Sequence, residues 1–352
     1  MKIFDWQKAL WQQLLGDLQN LPHAMIMAGA EGLGKLAFAQ TFAALLLCQS
    51  TGLTDNLDQM PCGRCASCNW LASGNHPDFR LIQPQGEGEG DEEGAEATKS
   101  ASSQVKQGQG RIKVEQIREL GDFVFIGSHA HGKRIAIFSP AESMNAAAAN
   151  ALLKILEEPP AGVYFILIVN SWHQLLPTIR SRCRKIVFSL PDYAQAQKWL
   201  NQEGVKSADE LLQLVGGAPL LAATWAEQGR LDVYRKALEP LADKPDDPVA
   251  MAAKWSGLIK AESGFGLPHL VDALQKWLYD LLLLKLTGKL TYHQAWQPKL
   301  EALKSRTSIS RLLAGYQELL RIRAVARHPL NTQLFLEDLA TRYLRLLATE
   351  TR

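Results

Sequence analysis

The first half of the chain alternates short apolar runs with longer amphipathic or Ala/Leu-rich stretches. The apolar runs predict five buried strands, at 24–27, 79–82, 135–138, 165–169 and 186–188. Residues 36–47 and 146–156 predict helices in this region. Strands that alternate with helices are typical of a parallel sheet covered by helices on both faces. We therefore expect an α/β fold here.

The pattern becomes wholly helical after about residue 190. Short helices are predicted at 194–201, 208–215 and 219–228, and Gly216-Gly217 separates the last two. One face of a longer helix, which should end near 287–288, carries Leu270, Leu274, Leu278, Leu281 and Leu282. Apolar residues at this spacing are typical of a helix in a bundle core. The second half should therefore be all-α.

Residues 85–110 fit neither pattern. The stretch consists mostly of Gly, Glu, Ser and Gln, and six acidic residues fall between Glu87 and Glu96 without a basic one. Such a segment cannot bury enough apolar surface to offset the entropy lost on ordering. We expect a disordered acidic insert between a strand and a helix.

Composition narrows the class of protein. The 352 residues suit two or three domains, and 47% hydrophobic with 21% charged residues indicates a soluble globular chain. The apolar runs are too short for a membrane span, and Asp5 and Gln7 do not suit a signal peptide, so we expect a cytoplasmic location. A formal charge of +2 argues against a dedicated nucleic-acid coat.

A phosphate loop follows the first predicted strand. Residues 29–36 read Gly-Ala-Glu-Gly-Leu-Gly-Lys-Leu, and the loop amides of a GxxxxGK motif between a strand and a helix cradle phosphate groups. Candidate nucleotide-binding residues are Gly29, Gly32, Gly34 and Lys35. The next position needs a Ser or Thr hydroxyl to hold Mg²⁺, and Leu36 has none.

A second metal-binding element is also missing. The strand at 135–138 ends in Ser139-Pro140, where Mg²⁺ coordination and water activation would need a carboxylate. Glu142 is displaced from that position and is expected at the surface or at a helix start. Two losses in one catalytic unit predict no intrinsic ATP hydrolysis. The loop itself could be a packing element or could bind ATP passively, and both readings stay open.

Four cysteines form a compact group. Cys62, Cys65 and Cys68 follow a CxxCxxC spacing, and Cys48 lies shortly before them. Four thiolates satisfy a tetrahedral Zn²⁺ without an open position, which predicts a structural zinc site. An iron–sulfur cluster and unligated buried thiols are the alternatives. Cys183 stands apart and should simply be buried.

Further motifs carry a family resemblance. They are 21–24 (LPHA), 74–79 (GNHPDF), 112–120 (IKVEQIREL), 149–160 (ANALLKILEEPP) and Ser181-Arg182-Cys183. Together with the phosphate loop and the cysteines, this set resembles bacterial clamp-loader AAA+ subunits from about residue 20 to 190. The resemblance implies an AAA+ domain over 1–189 with a zinc module at 48–68, a helical lid over 190–239 and a helical collar over 240–352.

Within that family this chain is similar to a non-hydrolysing member. Asn170 stands roughly where motor subunits usually have Thr, and 216–219 (GGAP) contains no ATP-touching Arg. By the resemblance, Arg182 would be an arginine finger that reaches a neighbour's ATP in trans. The subunit would complete a hetero-oligomeric ring with ATPase subunits and a delta subunit. That ring would load a sliding clamp onto primed DNA within a DNA-directed DNA polymerase holoenzyme.

Two other functions are open from the sequence. The first is an active motor ATPase of the same family, against which Leu36 and Ser139-Pro140 argue. The second is a stand-alone zinc-containing nucleic-acid-binding protein. Near-neutral charge and the lack of basic residues interleaved with aromatic ones argue against that class.

Overall fold

The computed structural model describes residues 2–50, 57–85, 110–125, 132–242, 247–326 and 331–348. The chain divides into two compact units, 1–192 and 193–352. The predicted end of the AAA+ domain at 189 lies close to this border, and the separation of lid from collar at 239/240 stays a prediction. Residues 86–109 of the predicted acidic insert lie outside the described residues. Within the described ranges, no helix has the length and apolarity to cross a membrane.

The first unit is built on a parallel sheet. Its strands, within the described residues, are β1 (Ala24–Ala28), β2 (Phe79–Ile82), β3 (Arg134–Phe138), β4 (Val163–Val169) and β5 (Arg184–Val187). They lie in the order β2-β3-β4-β1-β5, and every neighbouring pair is parallel. The predicted parallel α/β sheet is confirmed. The fifth strand begins two residues before the predicted 186–188 because Arg184 and Lys185 pair with β1 although both are exposed.

The helices of the first unit cover both faces of the sheet. They are α1 (Lys8–Gly16), α2 (Lys35–Leu47), α3 (Ala66–Ala72), α4 (Val114–Phe125), α5 (Ala146–Glu157) and α6 (Pro177–Arg180). Ile26 of β1 packs with Leu120 and Leu152 in one buried cluster, whereas Met25 and Met27 are buried outside that cluster, as the two-residue period of a strand requires. The predicted helices 36–47 and 146–156 are confirmed as α2 and α5.

The described part of the second unit is all-α, as predicted. Its helices in the described ranges are α7 (Tyr193–Gln202), α8 (Ala208–Leu214), α9 (Pro219–Glu227), α10 (Arg230–Ala242), α11 (Pro248–Ala261), α12 (Leu267–Thr287), α13 (Gln297–Lys304), α14 (Ile309–Val325) and α15 (Thr332–Leu347). The predicted leucine face is part of α12. This helix ends before Gly288, whose backbone is in the left-handed conformation. One hydrophobic cluster extends from Ala196 to Leu347 and contains Trp255 and Trp277.

A buried carboxylate fixes the chain that follows α12. Asp280 is fully buried, and its oxygens accept the backbone N–H groups of 291–293 at 2.7–2.9 Å. His293 Nδ1 also donates to Asp280 at 2.9 Å, which leaves Nε2 to accept the Tyr234 hydroxyl at 3.1 Å. Burial holds the pKa of His293 below its usual range. Each polar group in this network has a partner, so the network stabilises the unit.

Candidate functional site

The phosphate loop connects β1 to α2 and depends on its glycines. Gly32 and Gly34 have φ values of +78° and +79°, a region that side chains other than glycine seldom adopt. Gly29 lies against the end of β5, and a Cβ there would stand 2.5 Å from the Phe188 carbonyl oxygen. The shape of the loop backbone therefore depends on glycine at these three positions.

The N-terminal segment covers one side of this loop. The carbonyl oxygen of Leu33 accepts from Gln7 Nε2 at 2.7 Å and from Trp6 Nε1 at 3.3 Å. A Cβ on Gly34 would stand 2.9 Å from both the Gln7 side chain and the Phe4 ring. Phe4 in turn stacks on Trp6 with 4.7 Å between ring centroids. The sequence analysis missed this contact, since no motif links residues 4–7 to residues 33–34.

Lys35 folds back into its own loop. Its ammonium group donates to the carbonyl oxygens of Gly29 at 2.8 Å and Ala30 at 2.5 Å, and to Asn170 Oδ1 at 2.9 Å. An ammonium has three N–H donors, and here all three have a protein acceptor. The side chain is only 4% exposed, and burial lowers its pKa to about 8.

Asn170 and Glu142 complete this constellation. Asn170 follows β4, and its backbone N–H donates to Glu142 Oε1 at 2.8 Å. Glu142 lies in a short 3-10 helix after β3, as the helix-start reading predicted. Glu142 is half-buried there, and its charge acts to raise the pKa of Lys35. Asn170 thus links the two elements that a nucleotide site would use.

The four cysteines form a cage at the ends of two helices. Cys48 directly follows α2, and Cys65 is the N-cap residue of α3. The Sγ atoms of Cys48, Cys62, Cys65 and Cys68 all lie within 4.8 Å of one another, with 3.8 Å for the pair 48–65 and 4.0 Å for the pair 62–68. Tetrahedral Zn²⁺ with Zn–S distances of about 2.3 Å requires S···S distances of about 3.8 Å. The cage therefore fits a zinc ion.

The thiols of the cage differ in their surroundings. Backbone hydrogen bonds from Arg64 and Cys65 lower the pKa of Cys62 to about 6. Burial raises the pKa of Cys68 to about 12. A bound Zn²⁺ deprotonates its thiol ligands, so the raised value of Cys68 does not prevent coordination. By contrast, Cys183 is apart from the cage, and burial raises its pKa to about 12.

A series of buried, hydrogen-bonded polar side chains lies next to the cage. The Ser67 hydroxyl contacts the Leu47 carbonyl oxygen at 2.7 Å and His76 Nε2 at 2.8 Å. Asp78 donates its N–H to His76 Nδ1 at 3.0 Å, and its carboxylate pairs with buried Arg134 at 3.4 Å. Burial lowers the pKa of His76. The motif 74–79 therefore joins the cysteine module to the start of β2.

Arg182 lies two residues after the end of α6, on an exposed part of the first unit. Its guanidinium donates to Glu157 Oε1 at 2.7 Å and to the Thr178 carbonyl oxygen at 3.0 Å. Both charged side chains remain well exposed, at 36% for Arg182 and 49% for Glu157. The pair joins two of the motifs that carry the family resemblance, 149–160 and 181–183.

Residues 216–219 form the predicted break in the second unit. Gly216 and Gly217 have positive φ values of +68° and +87°, and Pro219 begins α9. Proline at the first position of a helix is favourable because its missing N–H would have no helical partner. The segment acts as a turn.

A phosphate loop after β1, in a parallel sheet with β1 between β4 and β5, defines a P-loop α/β domain of the AAA+ type, followed here by a helical unit. A family model described as "DNA polymerase III, delta subunit" matches residues 6–192. DNA polymerase III subunit delta′ of Pseudomonas aeruginosa is 35% identical over 289 residues, which cover 81% of this chain and 79% of the relative. This chain belongs to the delta-prime family of DNA polymerase III subunits.

Two further proteins are similar to this chain. Subunit delta′ of Yersinia pestis is 31% identical over 248 residues, which cover 68% of this chain and 65% of the relative. The crystal structure of a DNA polymerase III gamma subunit-related protein from Thermotoga maritima aligns with 97% of this chain and 99% of its own. That alignment has 17% identity and a TM-score of 0.48.

Proposed function

We propose that this chain is a non-hydrolysing subunit of a DNA polymerase III clamp loader. It completes a hetero-oligomeric ring with ATPase subunits and a delta subunit. It supplies Arg182 to a neighbour's ATP while the ring loads a sliding clamp onto primed DNA. Membership of the delta-prime family supports the clamp-loader role.

The state of Lys35 is the observation that carries the non-hydrolysing part of the proposal. The ammonium that would bind phosphate oxygens is held by three oxygens of the protein. Leu36 has no side-chain oxygen to hold Mg²⁺, and β3 ends without a carboxylate. Phosphoryl transfer relies on a bound metal ion and on a positive charge placed at the phosphates. This loop lacks the metal ligands, and its lysine ammonium is already bound by protein oxygens. We therefore favour the packing role of the loop over passive ATP binding.

The exposed position of Arg182 supports its role in trans. Exposed ion pairs contribute about 0–1 kcal/mol, so the bond to Glu157 can be exchanged for a stronger acceptor at low cost. A guanidinium is always charged, is planar and can neutralise charge on a transferring phosphoryl group. These properties suit an arginine finger at an interface between subunits.

The zinc site has a structural role in this proposal. Cys48, Cys62, Cys65 and Cys68 would hold one Zn²⁺. The ion would cross-link the module between α2 and α3 and would take no part in a reaction. Residues 57–65 contain no helix or strand, so metal binding would supply much of the module's folding energy.

The test is a clamp loader reconstituted with the Arg182→Ala chain. We expect the ring to assemble and its DNA- and clamp-stimulated ATPase to fall, since turnover at the affected site should drop by roughly 10³–10⁵. Clamp loading should fall further, and Arg182→Lys should rescue poorly because an ammonium lacks the planar fork. Undiminished ATPase and loading would make Arg182 a structural residue and refute its role in trans.

The isolated chain gives the matching control. Purified free of motor subunits, it should not hydrolyse ATP, and Leu36→Thr should not restore turnover because the carboxylate after β3 is still missing. Hydrolysis by the unmodified chain would identify it as an active motor subunit instead.

A further inference from the structure

We propose that Ser67 and His76 form a positioning relay for the cysteine cage, holding the end of α2 against the first turn of α3 so that the four thiolates converge on one metal ion. This inference rests on the zinc site proposed above. It concerns two side chains that touch no metal and that lie between the cage and the sheet.

The hydrogen bonds of the relay have one consistent direction. Because the Asp78 N–H donates to His76 Nδ1, the proton of a neutral imidazole lies on Nε2. His76 Nε2–H can then donate to the Ser67 oxygen at 2.8 Å, and the Ser67 hydroxyl donates its own proton to the Leu47 carbonyl at 2.7 Å. Each donor has one acceptor, so the Ser67 rotamer is fixed from both sides.

The relay acts at the residues next to two ligands. Leu47 directly precedes Cys48, and Ser67 directly precedes Cys68. A single hydrogen bond between Leu47 and Ser67 therefore limits how far those ligands can separate, although they come from different helices. Ser67 and His76 are 0% and 2% exposed, so water does not compete for these bonds.

His76 also connects the cage to the rigid part of the unit. Asp78, which holds His76, is itself fixed to the sheet, because its carbonyl oxygen accepts the Ile135 N–H at 3.0 Å. Trp70 of α3 packs on the His76 ring at 5.9 Å between centroids. Residues that orient metal ligands typically change metal affinity by about 10- to 100-fold when they are removed.

The experiment measures zinc affinity of the full chain by competition with a chromophoric chelator. Ser67→Ala should weaken zinc binding about 10- to 100-fold while all four cysteines remain. Co²⁺ substituted in the same variant should still give the absorption of a tetrahedral four-thiolate site. Ser73→Ala is the matched control, because Ser73 lies just after α3 and its exposed hydroxyl bonds only to the Trp70 carbonyl in the same turn.

Variants at His76 separate the relay from a general packing effect. His76→Gln keeps an N–H donor near Ser67 and should retain more zinc affinity than His76→Leu. Unfolding of metal-free and zinc-loaded protein supplies a second readout for each variant. The relay predicts a greater loss of stability in the zinc-loaded form.

Three results would overturn the inference. Zinc affinity of Ser67→Ala equal to that of Ser73→Ala, or equal destabilisation with and without zinc, would make the relay a feature of the fold alone. If the unmodified chain binds no zinc, the metal site and the relay both fail, and this result is distinguishable from the first two.

Discussion

Lys35 and Asn170 are joined by a hydrogen bond of 2.9 Å although 135 residues separate them in the chain. The bond connects the phosphate loop to the residue that follows β4. Its effect is to close the loop with groups of the protein. The folded chain therefore holds the phosphate loop closed with its own groups, without a ligand.

Replacing Lys35 tests whether this closure contributes to stability. Lys35→Met keeps an apolar stem and leaves three acceptors without their donor, which should lower the free energy of unfolding by about 1–3 kcal/mol. Burial of the charged ammonium is unfavourable and lowers the pKa of Lys35 to about 8. Removing that charge should therefore raise the free energy of unfolding, which opposes the loss of the hydrogen bonds. Chemical denaturation of the purified chain decides which effect is larger.

The control for this change is Lys206→Met, at an exposed position in the second unit, which should be nearly neutral. Addition of ATP gives an independent check, since a ligand at 100 times its Kd would stabilise the folded chain by about 2.7 kcal/mol. We expect no change in the melting temperature. A clear ATP-induced shift would show that the loop is open to nucleotide, whereas a stabilised Lys35→Met chain would show that burying the charge costs more than its three hydrogen bonds contribute.

The ion pair of Arg182 and Glu157 allows structure and function to be separated. Glu157→Gln removes an exposed pair and should change the stability of the isolated chain by less than about 1 kcal/mol. In the assembled ring it should leave ATPase activity intact, because the guanidinium is still present. If Glu157→Gln lowers ATPase as far as Arg182→Ala, the pair itself is the functional unit and a free arginine finger is excluded.

Elements with strong local patterns were predictable from the sequence. Strand β1 is buried on both faces, so its residues form one continuous apolar run. Helix α12 places its leucines at regular spacing, and its core face was read correctly. The short helices α1 and α3 were missed, since each buries only two or three residues and gives little periodic signal.

The candidate sites divide in the same way. The glycines before Lys35 and the CxxCxxC cysteines are close in sequence, so their covalent spacing predicts their proximity. Contacts such as Gln7 with Leu33, or Ser67 with His76, depend on how separate elements pack. The contact between Glu142 and Asn170 was missed for this reason, because the two residues follow different strands.

The cysteine cage predicts a defined metal content. Elemental analysis of the purified chain should give one zinc per chain, and Cys65→Ser should lower both zinc content and thermal stability. Cys183→Ser is the control, since that thiol lies apart from the cage and should not affect zinc. Iron in place of zinc would point to a cluster, and the absence of both metals would leave four unligated thiols.

The last prediction concerns acid sensitivity of the second unit. Burial holds the pKa of His293 below its unfolded value of 6.5, so the unfolded chain takes up more protons than the folded chain as pH falls through that value. The stabilising contribution of neutral His293 is therefore complete above about pH 6.5 and declines below it.

His293→Asn keeps a donor for Asp280 but cannot titrate, so its unfolding free energy should decline less between pH 7.5 and 5.5. Thermal or urea unfolding over this range, compared with His173→Asn in the first unit, checks the assignment. Equal pH dependence in all three chains would mean that His293 does not govern the acid response.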